Sequence, residues 1–360
     1  MSNDTALVLV PSDRMGGAER ILRMVTNELL ARGWMVDVVC LSRGTGALFS
    51  DMHGADPKCA IYILSDTREI FGVIRALLLF ASLLRRRAYT LAFSSLTHCN
   101  AFAGFLRMLR LMRTRRLVCR ESTIISRRFH GLRRVYYWSC YLFYRSVDKV
   151  VCQTNEMAAE LLKFTAAVKA SNVTVLANPI APISGSRSAR AMSENPLFVS
   201  VGRLIPEKGF DVLIEAFAQL LPQWPKAQLY IYGEGPEREE LKALVARLEI
   251  SDNILLCGMT KMPHDVMRSA DVCVISSIAE GFPNVLLEMM RANSRVVATH
   301  CADGVSDIEG LITCPTRDPA ALADALRTAI TISIDDVGEK FDAELGRRTP
   351  TSFVNALLSY

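Results

Sequence analysis

Residues 5–42 read TALVLVPSDRMGGAERILRMVTNELLARGWMVDVVCLS, and this stretch decides the fold. The run ALVLVP has the length and composition of a buried strand. Apolar residues then recur at helical spacing as far as Gly33, after which MVDVVCLS forms a second apolar run. A strand, a helix and a strand in close succession make a βαβ unit, which requires a parallel sheet. The sequence therefore predicts an α/β fold.

The same alternation continues along the chain in two series. The first series adds the strand-like runs LAFSSL, RRLVCRES and KVVCQT, and the second comprises LFVSVG, QLYIYG, NILLCG, VCVISS and SRVVAT. Between them lies a segment rich in Pro, Ser and Ala that has no apolar period, which is typical of a linker. We expect two Rossmann-like domains with parallel sheets facing each other across a cleft, with ligands at the carboxyl ends of the strands. The predicted boundaries are 1–180, a linker 181–195, 196–340, and a C-terminal helix 341–360 that packs back on the first domain.

The composition excludes several classes of protein. The chain has 360 residues and ten cysteines, none spaced as C-x-x-C, so we expect reduced thiols in a cytoplasmic protein rather than a disulfide framework or a zinc site. The N-terminus lacks the basic start and long apolar stretch of an export signal. Mean hydropathy is high at +0.21, and the most apolar run is Ile70–Leu84. Arg75 interrupts this run, which is shorter than the roughly 20 residues that span a bilayer.

Positive charge is concentrated between Arg107 and Lys149. Basic residues there far outnumber the two acidic ones, Glu121 and Asp148, and aromatic side chains are interleaved with them in RVYYWSCYLFYR. This pattern suits an anionic bilayer surface, where Trp and Tyr lie at the level of the headgroups. Nucleic-acid affinity and a solvated face over buried aromatics are alternatives. We favour peripheral contact with a membrane and predict no nucleic-acid partner, because no base-reading motif accompanies the arginines.

Two glycine-containing loops each follow a predicted strand and precede a predicted helix. Gly16 and Gly17 follow the first strand, and Gly233 and Gly235 follow QLYIY. Glycine lets the backbone come close to a ligand, and the helix start supplies unpaired N–H groups to an anion. A tight turn and an ordinary loop are the structural alternatives. The first loop is not G-x-G-x-x-G, so a dinucleotide fingerprint is absent.

A third loop, in VGRLIPEKGFDVLIEAF, carries Arg203 and Lys208 between a strand and a helix. Arginine offers a fork of donors suited to phosphate oxygens, and lysine adds a compact charge, so together they could neutralise a diphosphate. Isolated basic residues in a loop are otherwise simply solvated.

The segment EGFPNVLLE, residues 280–288, places two glutamates around a loop that turns into a helix. Glu280 lies on the loop at the carboxyl end of a strand, and Glu288 lies inside the following helix. Backbone N–H groups of 281–284 lie between them, so one long ligand could meet a carboxylate at each end and amides at its centre. A glutamate pair at this spacing is also common on protein surfaces.

The motifs GGAER, VGRLIPEKG, IYGEGP, LLCG and EGFPNVLLE, in this order and spacing, resemble glycosyltransferase family 4 over most of the chain. The resemblance implies the GT-B fold and transfer with retained anomeric configuration. It implies catalytic roles for His98, Arg203, Lys208 and Glu280. It further implies donor binding by the remaining motif residues: Gly16, Gly17, Gly233, Gly235, Met259, Gly281, Phe282, Pro283, Asn284 and Glu288. Glu121, at the end of a first-domain strand, is a candidate for contacting the acceptor.

These residues predict sugar transfer from a nucleotide diphosphate sugar to an acceptor hydroxyl, in which cationic groups stabilise the departing diphosphate. We expect neither a cofactor nor a metal ion, since no DxD-like motif lies near the site. The acceptor is expected to be a lipid-linked saccharide or another saccharide in surface polysaccharide assembly. The protein would then be cytoplasmic and peripheral to the inner face of the membrane. The alternative is a non-catalytic relative that binds nucleotide sugars or regulates a partner.

Overall fold

The computed structural model describes residues 4–14, 16–44, 47–66, 69–82, 86–181, 185–188 and 191–359. The strands are β1 Thr5–Ser12, β2 Met35–Ser42, β3 Cys59–Ile63, β4 Ala88–Ser95, β5 Arg113–Arg120, β6 Lys149–Cys152, β7 Val173–Val175, β8 Leu197–Val201, β9 Gln228–Tyr232, β10 Ile254–Gly258, β11 Val272–Ile275, β12 Val296–Thr299 and β13 Ile312–Cys314. The helices are α1 Gly17–Ala31, α2 Glu69–Ser82, α3 Thr97–Met108, α4 Ile125–Arg128, α5 Gly131–Cys140, α6 Asn155–Phe164, α7 Phe210–Ala218, α8 Arg238–Arg247, α9 Pro263–Ser269, α10 Asn284–Ala292, α11 Pro319–Thr331, α12 Val337–Gly346 and α13 Pro350–Leu358.

The chain divides into two compact units, one made of Met1–Ala181 with Arg348–Tyr360 and the other of Pro182–Arg347. In the described part of the first unit, seven strands form a sheet in the order β3-β2-β1-β4-β5-β6-β7. Its strand pairs are parallel. The inner strand β1 is buried along nearly its whole length. A parallel sheet is covered by helices on both faces, which explains why its inner strands are continuous apolar runs.

The two faces of the first sheet are covered by different helices. One face packs against α1 and α13, through residues such as Leu22 and Phe353. The other face packs against α2, α3, α5 and α6, with Phe80, Phe102 and Met157 in its core. The C-terminal helix α13 is therefore part of the first unit's core.

The second unit has a six-stranded parallel sheet among its described residues, in the order β10-β9-β8-β11-β12-β13. Its core combines strands β8, β9 and β11 with helices α7, α8 and α11, as in the packing of Phe198 against Phe217. The α/β architecture expected from the sequence, with two parallel sheets, is confirmed.

Two expectations about the connections differ from the structure. Part of the predicted linker lies outside the described residues, but Arg187 within it belongs to the second unit and donates to the Met290 carbonyl (2.8 Å) and the Asp342 carboxylate (2.7 Å). The segment expected to form one C-terminal helix instead holds the end of α12 and all of α13. Pro350 begins the second of these helices, and the Thr349 side chain caps it.

The apolar run Ile70–Leu84 corresponds to α2, which ends at Ser82, while Leu83 and Leu84 lie outside the described residues. Across the part of the chain that the structure describes, we find no helix with both the length and the apolarity needed to cross a bilayer.

Candidate functional site

Glu280 lies on the loop that joins β11 to α10, at the carboxyl edge of the second sheet. The neighbouring strand fixes this loop, because the Thr299 hydroxyl donates to the Ser277 carbonyl at 2.5 Å. The Glu280 amide donates to the Cys301 carbonyl at 2.8 Å. The backbone that carries the glutamate is therefore held from the end of β12.

A second loop, 202–209, joins β8 to α7 and is bonded to the first. The Ile278 amide donates to the Glu207 carbonyl at 2.8 Å, and the Ser276 hydroxyl donates to the Lys208 carbonyl at 2.9 Å. Gly209 permits this approach, because a Cβ on it would lie 2.4 Å from the Ser276 carbonyl oxygen. The starts of α7 and α10 thus belong to one hydrogen-bonded network.

The side chains of Lys208 and Glu280 form an ion pair inside this network. The Lys208 ammonium donates to Glu280 Oε1, and the Ser277 hydroxyl donates to the same oxygen at 3.1 Å. The two side chains are 18% and 21% exposed, so each is largely covered yet still open to solvent on one side. An ammonium carries three N–H donors and this bond uses one, which leaves donors for an anionic ligand.

Arg203 lies at the start of the same loop and is exposed. Within the described residues its guanidinium forms no ion pair or side-chain hydrogen bond, so its planar fork of donors is not committed to another protein group. The two basic residues predicted for a diphosphate therefore occupy one loop, with one ordered by Glu280 and the other extended into solvent.

Neither helix that starts at this network has a side-chain cap. The N-cap residues are Gly209 for α7 and Pro283 for α10, and neither can offer a side-chain acceptor to the first-turn amides. The positive ends of two helix dipoles thus add to the charge of Lys208. This arrangement is suited to an anion such as a phosphate.

Gly233 and Gly235 have a structural reason to be glycine. A Cβ on Gly233 would lie 1.7 Å from the Gly202 carbonyl oxygen, and a Cβ on Gly235 would lie 2.1 Å from that of Leu204. The Leu204 amide also donates to the Glu234 carbonyl at 3.0 Å. The two glycines let the β9 loop pack directly against the backbone that carries Arg203, and a direct contact with a donor remains a prediction.

The other donor-binding candidates of this unit are distributed along the same edge. Phe282 and Pro283 are buried and shape the loop before α10, whereas Gly281 and Asn284 are partly exposed. Glu288 lies on α10, beyond its first turn, and is half-buried. Met259 follows β10 and is 78% exposed, an unusual position for a methionine.

In the first unit, Gly16 and Gly17 begin α1. Gly16 is the N-cap, and a Cβ on it would lie 2.1 Å from Glu19 Oε2. The Glu19 carboxylate is buried and accepts a hydrogen bond from the Ser12 hydroxyl at 3.2 Å. This helix start therefore already holds a carboxylate from its own first turn, a feature that the glycine pair alone did not indicate.

His98 lies in the first turn of α3, two residues after Leu96, whose φ of 78° makes the sharp turn out of β4. Its ring meets Tyr137 edge-on at 6.5 Å, and Tyr137 in turn stacks on Phe129 at 4.1 Å. Aromatic packing from α5 and the segment before it therefore orients the histidine.

Glu121 is buried, with 1% of its surface exposed, and both carboxylate oxygens are occupied. Tyr144 and Asn100 donate to Oε1, and Thr97 donates to Oε2 at 2.8 Å. Burial raises the pKa of Glu121 while these hydrogen bonds oppose the increase. The structure therefore gives Glu121 a buried hydrogen-bonding role, and its contact with an acceptor stays a prediction.

A buried network that the sequence analysis missed adjoins Glu121. The Arg120 guanidinium is 1% exposed and donates to the Ser95 hydroxyl at 3.0 Å and to the Asn178 amide oxygen. Asn178 donates in turn to Gln153 at 2.8 Å. Burial lowers the pKa of Arg120 to about 10. An arginine directly after the short apolar run Leu117–Cys119 was the one sequence signal for this network.

Two protein-family models match the chain in succession. Residues 15–182 match Glycosyltransferase Family 4, and residues 195–331 match Glycosyl transferases group 1. Together the two matches span most of the chain and correspond closely to the two folded units.

Similar proteins come from several microorganisms. An uncharacterized glycosyltransferase of Haemophilus influenzae is 28% identical over 305 residues, which cover 81% of this chain and 79% of that protein. One from Methanocaldococcus jannaschii is 28% identical over 179 residues, covering 46% of this chain and 43% of that protein. An N-acetylgalactosaminyltransferase of Campylobacter jejuni, named for a diphospho-undecaprenol-linked saccharide, is 33% identical over 117 residues, covering 32% of this chain and 31% of that enzyme. The chain thus spans less than half of the last two relatives.

Among solved structures, the Anabaena protein HepE in complex with UDP and glucose superposes with a TM-score of 0.79. The superposition covers 99% of both chains at 16% identity. This similarity establishes the GT-B fold.

Proposed function

The chain belongs to glycosyltransferase family 4, and from that premise we propose that it transfers a sugar from a nucleotide diphosphate sugar to an acceptor hydroxyl, with retention of the anomeric configuration. One observation supports this most strongly. Lys208, Arg203 and two uncapped helix starts concentrate positive charge at one edge of the second sheet, beside a glutamate that is fixed by its backbone and by Ser277.

The proposed site acts on the donor bond that must break during transfer. Sugar transfer requires the bond between the anomeric carbon and the diphosphate oxygen to break, with its electron pair passing to the phosphate. Positive groups aimed at that oxygen stabilise the transition state more than the ground state, because negative charge develops there as the bond breaks. Lys208 and Arg203 supply formal charges, and the first-turn amides of α7 and α10 supply partial ones.

Glu280 has two roles in this scheme. Its carboxylate holds the Lys208 ammonium in place through the ion pair. A carboxylate also accepts hydrogen bonds from sugar hydroxyls, so a donor sugar bound beside it would be oriented for reaction. Glu288, farther along α10, would accept from the ribose hydroxyls, and Met259 would lie against the base.

The retained configuration requires the acceptor to attack on the face from which the diphosphate departs. We assign no covalent nucleophile and no metal ion to this step. The acceptor oxygen forms the new bond to the anomeric carbon while its proton passes to an oxygen of the leaving phosphate. Glu280 orients the donor sugar during this exchange, and His98 of the first unit remains a candidate catalytic residue.

The acceptor is proposed to be a lipid-linked saccharide at the inner face of a membrane, in the assembly of a surface polysaccharide. The Campylobacter relative is named for such an acceptor, and a relative from Rhizobium meliloti, 31% identical over 160 residues, is named for lipopolysaccharide core biosynthesis. Helix α5 supports membrane contact, because Leu132, Val135 and Tyr136 are exposed beside Arg133.

The test is turnover of nucleotide sugars by the full chain. A thermal-shift screen with UDP, GDP and ADP sugars should identify one class that raises the melting temperature by mass action. Incubation with that class should then release free nucleotide slowly in the absence of acceptor, and faster with a lipid-linked saccharide. Binding without any nucleotide release would indicate a non-catalytic relative and contradict the proposal.

A further inference from the structure

An open pocket of about 840 Å³ lies on the first unit, away from the residues assigned above. It is bounded by the end of α2, the end of α3 and the start of β5, and its polar lining comprises Ser82, Arg86, Arg107, Arg110, Arg113 and Thr114. Because β5 begins at Arg113 and ends next to Glu121, the pocket lies at the amino edge of the sheet, opposite the carboxyl edge where His98 and Glu121 are found. We refer to it as the arginine pocket.

Most of the positive charge around the arginine pocket is not neutralised. Arg107 pairs with Asp148 and donates to the Ser146 carbonyl at 2.8 Å. Arg86, Arg110 and Arg113 form no ion pair or side-chain hydrogen bond with any residue that the structure describes. Guanidinium groups that converge without counter-charges repel one another, and a bound phosphate would relieve that repulsion through charge-assisted hydrogen bonds.

Arg110 adopts a backbone conformation that favours glycine. It follows the C-cap of α3 with a φ of 57°, and the Leu111 amide donates to the Leu106 carbonyl at 3.0 Å, as in a Schellman motif. Glycine fits this position without steric cost. The local fold therefore does not require an arginine here, and removing its side chain should not harm the unit's stability.

Exposed apolar side chains surround the arginine pocket. Met108 and Leu109 lie between Arg107 and Arg110 in the chain, and Met108 is 57% exposed. Ile74 and Leu78 lie on the outer side of α2, where Leu78 is 67% exposed. Almost all large apolar side chains that are exposed in the described first unit lie on the helices of this one face of its sheet or directly after them, among them Phe71, Leu78, Met108, Leu132 and Leu142.

We propose that the arginine pocket binds the phosphate of an anionic phospholipid headgroup, and that the surrounding helical face lies against the bilayer. The proposal rests on the membrane-linked acceptor proposed above and identifies the surface and the site that would hold the enzyme there. A soluble phosphate would be recognised by the arginines but would leave the apolar side chains in water. A bilayer satisfies both, since headgroup phosphates meet the arginines while Met108 and Leu78 reach the interfacial layer.

The experiment uses the full chain in co-sedimentation with vesicles of phosphatidylcholine, with or without phosphatidylglycerol. The test variant is Arg110→Gly, which removes one cation and suits the left-handed backbone. The control is Arg317→Gly in the second unit. Arg317 is exposed, has a φ of 58° and forms no side-chain ion pair or hydrogen bond within the described residues, so the change in charge and backbone is the same.

Wild-type protein should bind vesicles that contain phosphatidylglycerol and should be released as salt rises. Arg110→Gly should bind them about fivefold more weakly, as expected for the loss of one basic residue at an anionic surface. Adding Arg113→Gln should weaken binding further, while Arg317→Gly should behave like wild type. The melting temperature of Arg110→Gly should equal or exceed that of wild type.

Equal vesicle binding by Arg110→Gly and wild type would overturn the proposal. A second result would also overturn it: inorganic phosphate or glycerol phosphate protects wild type, but not Arg110→Gly, from unfolding, and wild type does not bind vesicles. The pocket would then bind a soluble ligand. Nucleotide release from the donor without acceptor should be the same in all four proteins. If wild type binds vesicles normally but releases no nucleotide, the result would contradict the proposed function and leave the proposal for the arginine pocket intact.

Discussion

The Lys208 ammonium donates a hydrogen bond to the carboxylate of Glu280, which lies 72 residues later in the chain. This contact joins the start of α7 to the loop before α10. The Ser276 hydroxyl and the Lys208 carbonyl reinforce the junction with a 2.9 Å hydrogen bond. Glu280 therefore positions the Lys208 ammonium through contacts within the protein itself.

Replacing Lys208 with Ala should remove the formal charge next to the proposed diphosphate. The thermal shift caused by the preferred nucleotide sugar should disappear, and nucleotide release should fall by about 100-fold or more, as for loss of one group that stabilises developing charge. Lys226→Ala is the matched control, because Lys226 is an exposed lysine of the same unit with no side-chain partner among the described residues. An undiminished thermal shift in Lys208→Ala would show that the diphosphate binds elsewhere.

Replacing Glu280 with Gln should separate binding from turnover. The amide keeps the shape of the side chain but loses the charge that holds Lys208, so binding of the free nucleoside diphosphate should persist while kcat falls by about 100-fold. Calorimetry with the nucleotide and a nucleotide-release assay measure the two effects. Glu215→Gln, at an exposed position on α7, should change neither quantity. A variant Glu280→Gln with normal kcat would remove this residue from the mechanism.

Replacing Gly233 with Ala should destabilise the second unit by about 3 kcal/mol or more, since the new methyl group would overlap the Gly202 carbonyl oxygen. Gly346→Ala offers a control at the end of α12, where a Cβ meets nothing within 4 Å. That change should be neutral or should stabilise the helix by up to about 1 kcal/mol. Urea unfolding of both variants tests the prediction, and similar midpoints would contradict it.

Replacing Glu121 with Ala should cost the first unit roughly 3–5 kcal/mol, because Arg120 would remain buried without its neighbouring carboxylate and three donors would lose their acceptor. Glu156→Ala breaks a partly exposed ion pair with Arg127 and should cost at most about 1 kcal/mol. Denaturant unfolding distinguishes the two variants. Equal, small losses would mean that Glu121 does not support the fold.

The sequence predicted the inner strands of both sheets and missed three strands. Central strands such as β1 and β11 are covered on both faces and therefore appear as unbroken apolar runs. The missed strands, β3, β7 and β13, are all at sheet edges, and β7 and β13 have three residues each. A short edge strand buries too little surface to leave a clear pattern in one sequence.

The sequence indicated candidate residues for the site but not the contacts between them. The family motifs placed Lys208 and Glu280 at one ligand, and the structure shows that they also bind each other. The burial of Glu121 could not be predicted, because its position at a strand end does not reveal that Tyr144 closes over it from another segment. Likewise, the need for glycine at position 233 arises from the backbone of Gly202, a partner distant in sequence.

The most direct test of the central claim is a crystal structure of the full chain with the nucleoside diphosphate selected by the thermal-shift screen. We predict that phosphate oxygens lie about 3 Å from Lys208 Nζ and from the guanidinium of Arg203, in front of the first turn of α10. A structure with the diphosphate bound away from both side chains would contradict the account.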